Sequence, residues 1–143
     1  MTEIRPMAPE EIEVVDHHLP LHRLEQAGGE WLVAWEDGRP VGHAHIDWSA
    51  DPPALQDVYV AEPHRRRGVA SKLSEAAEQL LRDRGFAQIG LDVDVENAPA
   101  RALYEKLGYR ESGIPPRHVS GTITLRGRPF SFDAVLIDLV KDL

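Results

Sequence analysis

The sequence predicts a mixed α+β domain, one sheet with helices on its faces, and three observations predict it. Strand-type and helix-type segments alternate along the chain, in the approximate order β-α-(α)-β-β-β-α-β-α-β-β. Residues 69–81 carry apolar side chains at a helical period, so at least one long helix has a face to bury. The 143 residues hold no internal repeat, no low-complexity tract and no long linker. That fits a single domain over 1–143, because domains cluster around roughly 100–150 residues.

Taken in order, residues 4–7 read as a first strand closed by Pro9. Residues 10–19 read as a helix with Ile12, Val15 and Leu19 on one face. Residues 20–29 form a short helical or irregular piece ending in Gly28-Gly29. Residues 30–35 and 41–48 are strands joined through Glu36-Asp37-Gly38-Arg39, since Asp-Gly tolerates the positive φ of a tight hairpin turn. Asp51-Pro52-Pro53 breaks the chain before a strand at 55–60. Val69, Ala70, Leu73, Ala76, Ala77, Leu80 and Leu81 then make one apolar stripe, which Gly85 ends as a helix C-cap glycine does. Residues 89–95 are the next strand. Pro99 suits the first turn of a helix that runs to Leu107 and stops at Gly108. Strands at 121–125 and 132–140 close the chain.

Composition bounds the function. Zero Cys excludes a disulfide framework, a thiolate zinc site and a cysteine nucleophile. No apolar run approaches the ~18 residues of a membrane span, and Met1-Thr2-Glu3-Ile4-Arg5-Pro6 shows no apolar leader pattern. The expectation is a cytoplasmic protein without a membrane partner. The net charge of −8, from 16 basic and 24 acidic residues, argues against general affinity for nucleic acid. The imbalance is uneven: residues 1–50 carry 3 basic and 10 acidic side chains, 51–110 carry 9 and 10, and 111–143 carry 4 and 4.

The chemistry concentrates in Val58-Tyr59-Val60-Ala61-Glu62-Pro63-His64-Arg65-Arg66-Arg67-Gly68-Val69-Ala70-Ser71. A strand ends, a short loop passes three arginines, and a helix begins at a glycine. The first helical N–H groups lack intrahelical partners and lie at the positive end of the dipole, which makes an anion cradle. Gly68 lets backbone approach a bulky anion, Ala70 keeps the first turn free of bulk, and guanidinium groups pair with phosphate. The loop is neither a Walker loop, which needs Gly-Lys-Ser/Thr, nor a Gly-x-Gly-x-x-Gly dinucleotide fingerprint. Read alone, a basic triplet and a junction glycine are equally a solvated surface and a turn.

Arg65-x-x-Gly68-x-Ala70 resembles the pyrophosphate-binding signature of the GNAT family of N-acetyltransferases, Gln/Arg-x-x-Gly-x-Gly/Ala. Asn97-Ala98-Pro99-Ala100-Arg101-Ala102-Leu103-Tyr104-Glu105-Lys106-Leu107-Gly108-Tyr109 is similar to the family's second signature, Asn-x-x-Ala-x-x-x-Tyr-x-x-x-Gly-Phe/Tyr. The resemblance implies the family fold: a mixed, mostly antiparallel sheet with two parallel strands splayed apart and helices on both faces. It also implies acetyl-CoA as co-substrate, with no metal. The wedge would lie between strands 55–60 and 89–95. Backbone of Val58, Tyr59 and Val60 would hold the pantetheine arm and polarise the thioester carbonyl. Arg65, Arg66, Arg67, Gly68, Val69, Ala70 and Ser71 would cradle the pyrophosphate, and Asn97 would bond the cofactor near the pantetheine.

The implied reaction is direct attack of a primary amine on the thioester carbon. A base must free the amine lone pair and an acid must protonate the leaving thiolate. Tyr104 stands in the family's acid position; its alternative is a core tyrosine packed with Ala100 and Leu107. Asp92 shares a strand face with Asp94 and is the candidate base, with Asp57 and Glu96 as alternatives and a merely solvated face as the plain one.

Other residues carry weaker signals. His43 and His45 share a strand face but have no third ligand at a convincing spacing, so no metal is expected; both fit a wall of the acceptor side. Trp31, Trp35 and Trp48 are expected in or beside the sheet. The acidic first third suits a cationic acceptor, either a small amine or a peptide N-terminus. A non-catalytic acyl-CoA-binding module of the same fold is the competing function, and a nucleic-acid-binding loop at Arg65–67 is disfavoured by charge. A homodimer is compatible with the terminal strands.

Overall fold

The computed structural model describes residues 2–19, 29–125 and 128–143. At its centre β2 (Gly29–Glu36) and β3 (Arg39–Asp47) pair antiparallel about Asp37-Gly38, whose φ values of 51° and 76° are those an Asp-Gly hairpin turn needs. β1 (Thr2–Pro6) adds to the outer edge of β2, and β4 (Ala54–Val60) to β3. β5 (Gln88–Asp94) runs parallel to β4, and the long β8 (Arg128–Asp142) runs antiparallel to β5. Two further strands, β6 (Arg110–Glu111) and β7 (Arg117–Leu125), pair with β8. The sheet order is β1-β2-β3-β4-β5-β8-β6, with β7 on β8.

Helices cover both faces because successive strand residues point to opposite sides. Trp31, Val33 and Trp35 of β2 pack with Val15 and Leu19 of α1 (Ile12–His18) and its end. Leu32 and Ala34 of the same strand pack with Val69, Leu73, Ala77 and Leu81 of α2 (Val69–Asp83), which are the buried half of the stripe visible in the sequence. Full burial of both faces explains why β2 reads as a nearly continuous apolar run. α3 (Ala98–Lys106) lies beyond β5 and buries Tyr104.

The expected elements form with shifted ends: the first strand is Thr2–Pro6 rather than 4–7, the 10–19 helix is a 3-10 turn at Pro9–Glu11 followed by α1, and three larger differences lie at the C-terminal end. β7 begins at Arg117 rather than 121, β8 spans Arg128–Asp142 rather than 132–140, and β6 was not foreseen. β6 and β7 depend on β8 as their partner, and β8 on β5, β6 and β7, whereas local side chains such as His118, Ser120 and Thr122 alternate weakly. The 20–28 portion of the irregular piece, including His22, lies outside the described residues. Among the described residues, no helix is long and apolar enough to cross a membrane.

Two features position the site. The β3–β4 register slips by one residue between His43↔Tyr59 and His45↔Gln56, and Asp57 there has φ 47°. Such a bulge bends its strand and increases twist. β4 meets β5 at Ala54↔Gly90, held by Gly90 N–H to the Pro53 carbonyl at 3.0 Å, and then departs from it. β5 instead follows β8 along seven register pairs, from Gln88↔Asp142 to Asp94↔Leu136. The result is an open wedge between two parallel neighbours.

Candidate active site

The loop after β4 delivers the chain to α2 in an unusual conformation. Arg66 has φ 64° and Gly68 has φ 80°. The cap at Gly68 supplies no side-chain hydrogen bond, the first turn contains no acidic residue, and the first intrahelical bond shown is Lys72 N–H to the Gly68 carbonyl. The amides of Val69, Ala70 and Ser71 therefore stand without helical acceptors. A Cβ added at Gly68 meets no heavy atom within 4 Å, so glycine answers to the positive φ there, and the space before it is open.

The three arginines are not equivalent. Arg65 folds back: its Nε donates to the Val60 carbonyl at 2.8 Å and its guanidinium lies 5.5 Å from the Tyr59 ring centroid. That occupies the Val60 carbonyl. Arg67 is tied to Glu36 at 3.2 Å, with His64 bonded to the same carboxylate at 2.9 Å. Arg66 makes neither a side-chain hydrogen bond nor an ion pair among the described residues, whereas Arg65 makes the hydrogen bond and Arg67 the ion pair. The Tyr59 ring stacks on buried His43, so only its backbone can serve the wedge.

Three clefts follow one another, each sharing wall residues with the next. The first, about 410 Å³, lies against Arg66, Gly68, Ala70 and Ser71 and reaches Val58 and Tyr104. The second, about 300 Å³, is the wedge itself, between Asp57-Val58 and Asp92-Val93, with Asn97, Ala100 and Tyr104 at its α3 side. It shares Gln56 and Asp92 with a third, about 490 Å³, between the starts of β4 and β5 and the β8 surface. Tyr104 thus borders both of the first two clefts. Burial pushes its hydroxyl up to about 12, so it keeps its proton at neutral pH. Its ring packs edge-on against Tyr109 at 5.5 Å.

Asn97 caps α3 through its Oδ1, which accepts from Ala100 N–H at 3.2 Å; its amide donors remain for another partner. Asp94 is turned locally, with Oδ1 accepting from Glu96 N–H at 2.9 Å. Asp92 projects from the opposite face to Leu91 and Val93, which are in the core, and its Oδ2 accepts from Arg117 Nη2 at 3.1 Å. Asp57 sits at the bulge on the facing wall. Arg117, Asp138 and Gln56 had no sequence motif to mark them. Arg117 is 25 residues from Asp92, so only the β5–β8–β7 pairing brings them together.

Part of the acidic first third is paired with arginines, some near in sequence and some distant. Glu11 binds Arg5 at 2.7 Å, Glu30 binds Arg84 at 3.0 Å, and Glu36 binds Arg67. Asp47 is the acidic residue of that third that lines the third cleft, together with Asp51, Asp92 and Asp138 against Arg110 and Arg117. Negative character thus persists at the cleft from a different set of residues. His43 and His45 are buried beside Trp31, and His45 Nδ1 lies 3.1 Å from Gln56 Oε1. Trp31 and Trp35 are core residues; Trp48 lies under Arg84 and beside Phe86. No group of three or more His, Asp or Glu able to hold a metal occurs among the described residues.

Comparison with known proteins matches this arrangement. The family model of the GNAT acetyltransferases covers residues 2–109. An N-alpha-acetyltransferase of Saccharolobus solfataricus is 33% identical over 104 residues, 64% of this chain and 62% of that protein. The first curated relatives are longer, and the match spans 60%, 42% and 65% of their lengths. Among solved structures, the ribosomal-protein-S18-alanine N-acetyltransferase of Escherichia coli has the same fold, with a TM-score of 0.73 at 22% identity over 99% of this chain and 94% of that one. A GNAT family acetyltransferase of Elizabethkingia anophelis, crystallised with acetyl-CoA bound, gives 0.75 at 15% identity over 99% and 98%. With the family model spanning most of its length and the splayed wedge at its centre, this chain belongs to the GNAT family of acetyltransferases.

Proposed function

We propose that the chain transfers the acetyl group of acetyl-CoA to a primary amine by direct attack within a ternary complex. The observation that carries this is the succession of clefts with shared walls, from the anion cradle at Gly68 through the wedge to an acid-lined cleft, with a protonated tyrosine between the first two. The residues present fit the co-substrate. The free amides of Val69, Ala70 and Ser71 and the unpaired Arg66 suit a diphosphate. Arg65 and Arg67 act on loop shape, through the Val60 carbonyl and Glu36. The β4 backbone at Val58, Tyr59 and Val60, left by β5, suits an extended amide-containing arm, much as an added strand pairs with a sheet edge. Asn97 offers its remaining amide donors to the same arm.

Bound acetyl-CoA supplies an activated acyl carbon. The chain's own groups then manage protons and charge. A β4 amide in the wedge stabilises developing negative charge on the carbonyl oxygen. Tyr104 donates its hydroxyl proton as sulfur departs and recovers one from the nitrogen, which sheds its second proton as the amide forms. Asp92 attracts the incoming ammonium with the carboxylate oxygen that Arg117 does not hold, and passes the released proton to water. The acceptor enters from the third cleft, where Asp47, Asp51, Asp92 and Asp138 favour a cation.

The test is thiol release from acetyl-CoA on mixing with a panel of primary amines, with products identified by mass spectrometry. Acceptor-dependent, saturable release is expected. Tight acetyl-CoA binding with no release to any amine would leave a binding module, and no binding at all would remove the reading.

A further inference from the structure

The third cleft contains a contact that a general cation attractor does not need. Asp92 and Asp138 are direct cross-strand partners on β5 and β8. Two carboxylates in that position repel. Arg117, from the start of β7, lies across both: Nε to Asp138 Oδ2 at 3.1 Å, Nη2 to Asp138 Oδ1 at 2.8 Å, and Nη2 to Asp92 Oδ2 at 3.1 Å. Chiefly the Asp138 hydrogen bonds, and then Asp92, hold the guanidinium above even its ordinary range. It is a fixed cation, yet its side chain is 43% exposed and lines the cleft. Of the five N–H donors of an arginine, the two on Nη1 make no hydrogen bond among the described residues.

The three groups together carry one net negative charge. They present a carboxylate oxygen for an ammonium and, beside it, a rigid pair of N–H donors for an oxygen. Asp92 marks the junction with the wedge, where the reacting nitrogen must lie, and Arg117 is bonded to that same carboxylate. An oxygen a few bonds from the amine therefore falls at the guanidinium. We infer that Arg117 is a specificity residue that selects acceptors bearing a carbonyl or carboxylate oxygen next to the amine, the α-amino carbonyl group of an amino acid or of a peptide's first residue. The assignment rests on acetyl transfer as the reaction.

Initial rates of thiol release test it, comparing free amino acids, amino-acid amides and short unblocked peptides with n-butylamine and putrescine, which carry no oxygen. The wild type is expected to favour the α-amino carbonyl class. Arg117→Ala is expected to reduce the ratio of kcat/KM between the two classes by roughly 10–100-fold, the worth of one charge-assisted hydrogen bond. The loss should fall mainly on KM, and Arg117→Lys should restore little, since it lacks the planar fork. Because Arg117→Ala leaves two facing carboxylates unscreened, the double variant Arg117→Ala/Asp138→Asn, checked by thermal melting, gives the same ratio in a relieved background. Preference for amides and peptides over free amino acids assigns the oxygen to a peptide carbonyl; the reverse assigns it to a carboxylate. A merely structural clamp would lower both acceptor classes alike, and an unchanged ratio overturns the inference while leaving acetyl transfer standing. Absence of release with every amine in the wild type would overturn both.

Discussion

Gly68→Ala separates the stability of the phosphate loop from its capacity to bind. Gly68 sits at φ 80°, and a Cβ built there touches nothing within 4 Å. The substitution therefore carries a backbone cost and no packing cost. A left-handed L-residue costs roughly 1–2 kcal/mol, which for a chain of this length lowers Tm by about 3–8 °C. The added methyl also enters the open space in front of the first-turn amides. Displacing a phosphate oxygen from one of them forfeits a charge-assisted hydrogen bond worth roughly 1.5–3 kcal/mol, about 10–150-fold in Kd. Thermal melting reads the first quantity and calorimetric titration with CoA the second. A modest drop in Tm with an unaltered Kd would refute the cradle. A drop far beyond this range would refute the open space around the residue.

Tyr104→Phe is expected to lower kcat by roughly 10²–10⁴ with little change in CoA affinity; steady-state rates and titration check it, and wild-type activity should show no alkaline limb from this group until pH nears about 12, because burial keeps the proton on. Asn97→Ala should cost about 1 kcal/mol through loss of the cap on Ala100, whereas Asn97→Asp keeps a capping oxygen, should melt as the wild type does, and should bind CoA more weakly; unchanged CoA affinity in the aspartate variant would confine Asn97 to capping. Glu11 is depressed from 4.5 to about 2, first by the Arg5 hydrogen bonds and then by the Ala8 amide. Its contribution is complete above about 4.5 and is lost as pH falls toward 2, so melting curves of the wild type and Glu11→Gln should converge across that interval, and a constant gap would contradict the pairing.

Legibility in the sequence followed contact range. The placement of Gly68 at the head of α2 and of Tyr104 two turns into α3 was readable because the residues that set it are contiguous: the glycine, the first turn, the Asn97 cap and Pro99. The stripe of α2 was readable for the same reason. The division of labour among the arginines was not, since Arg67 is fixed by Glu36 from 31 residues away and Arg65 by a strand carbonyl. Charge counted by segment pointed to the right sign at the cleft through mostly the wrong residues, because Glu11, Glu30 and Glu36 are spent on arginines and the cleft draws on Asp51, Asp92 and Asp138. Strand pairing, which no local pattern encodes, made those differences.

The wedge itself follows from competing partners. β4 is bound to β3 through a register slip at Asp57, which adds bend and twist, while β5 is bound to β8 over an unbroken register. Two strands obeying different neighbours separate after the single pair Ala54↔Gly90. Separation leaves backbone donors and acceptors in a partly enclosed space, and each one left unmet there costs roughly 1–3 kcal/mol. Water or an extended amide-bearing ligand must therefore meet them, and the ligand gains where it displaces poorly held water. On the proposed reading the arm enters from the wide end, beside Arg66 and Gly68, and runs toward the point where the strands converge. Tyr104 on α3 faces that path, Asp92 stands in the wedge wall just past the Ala54↔Gly90 pair, and Arg117 lies beside it on the third cleft. On the same reading donor and acceptor would meet beside Tyr104 and Asp92 from different clefts, as attack without a covalent enzyme intermediate requires.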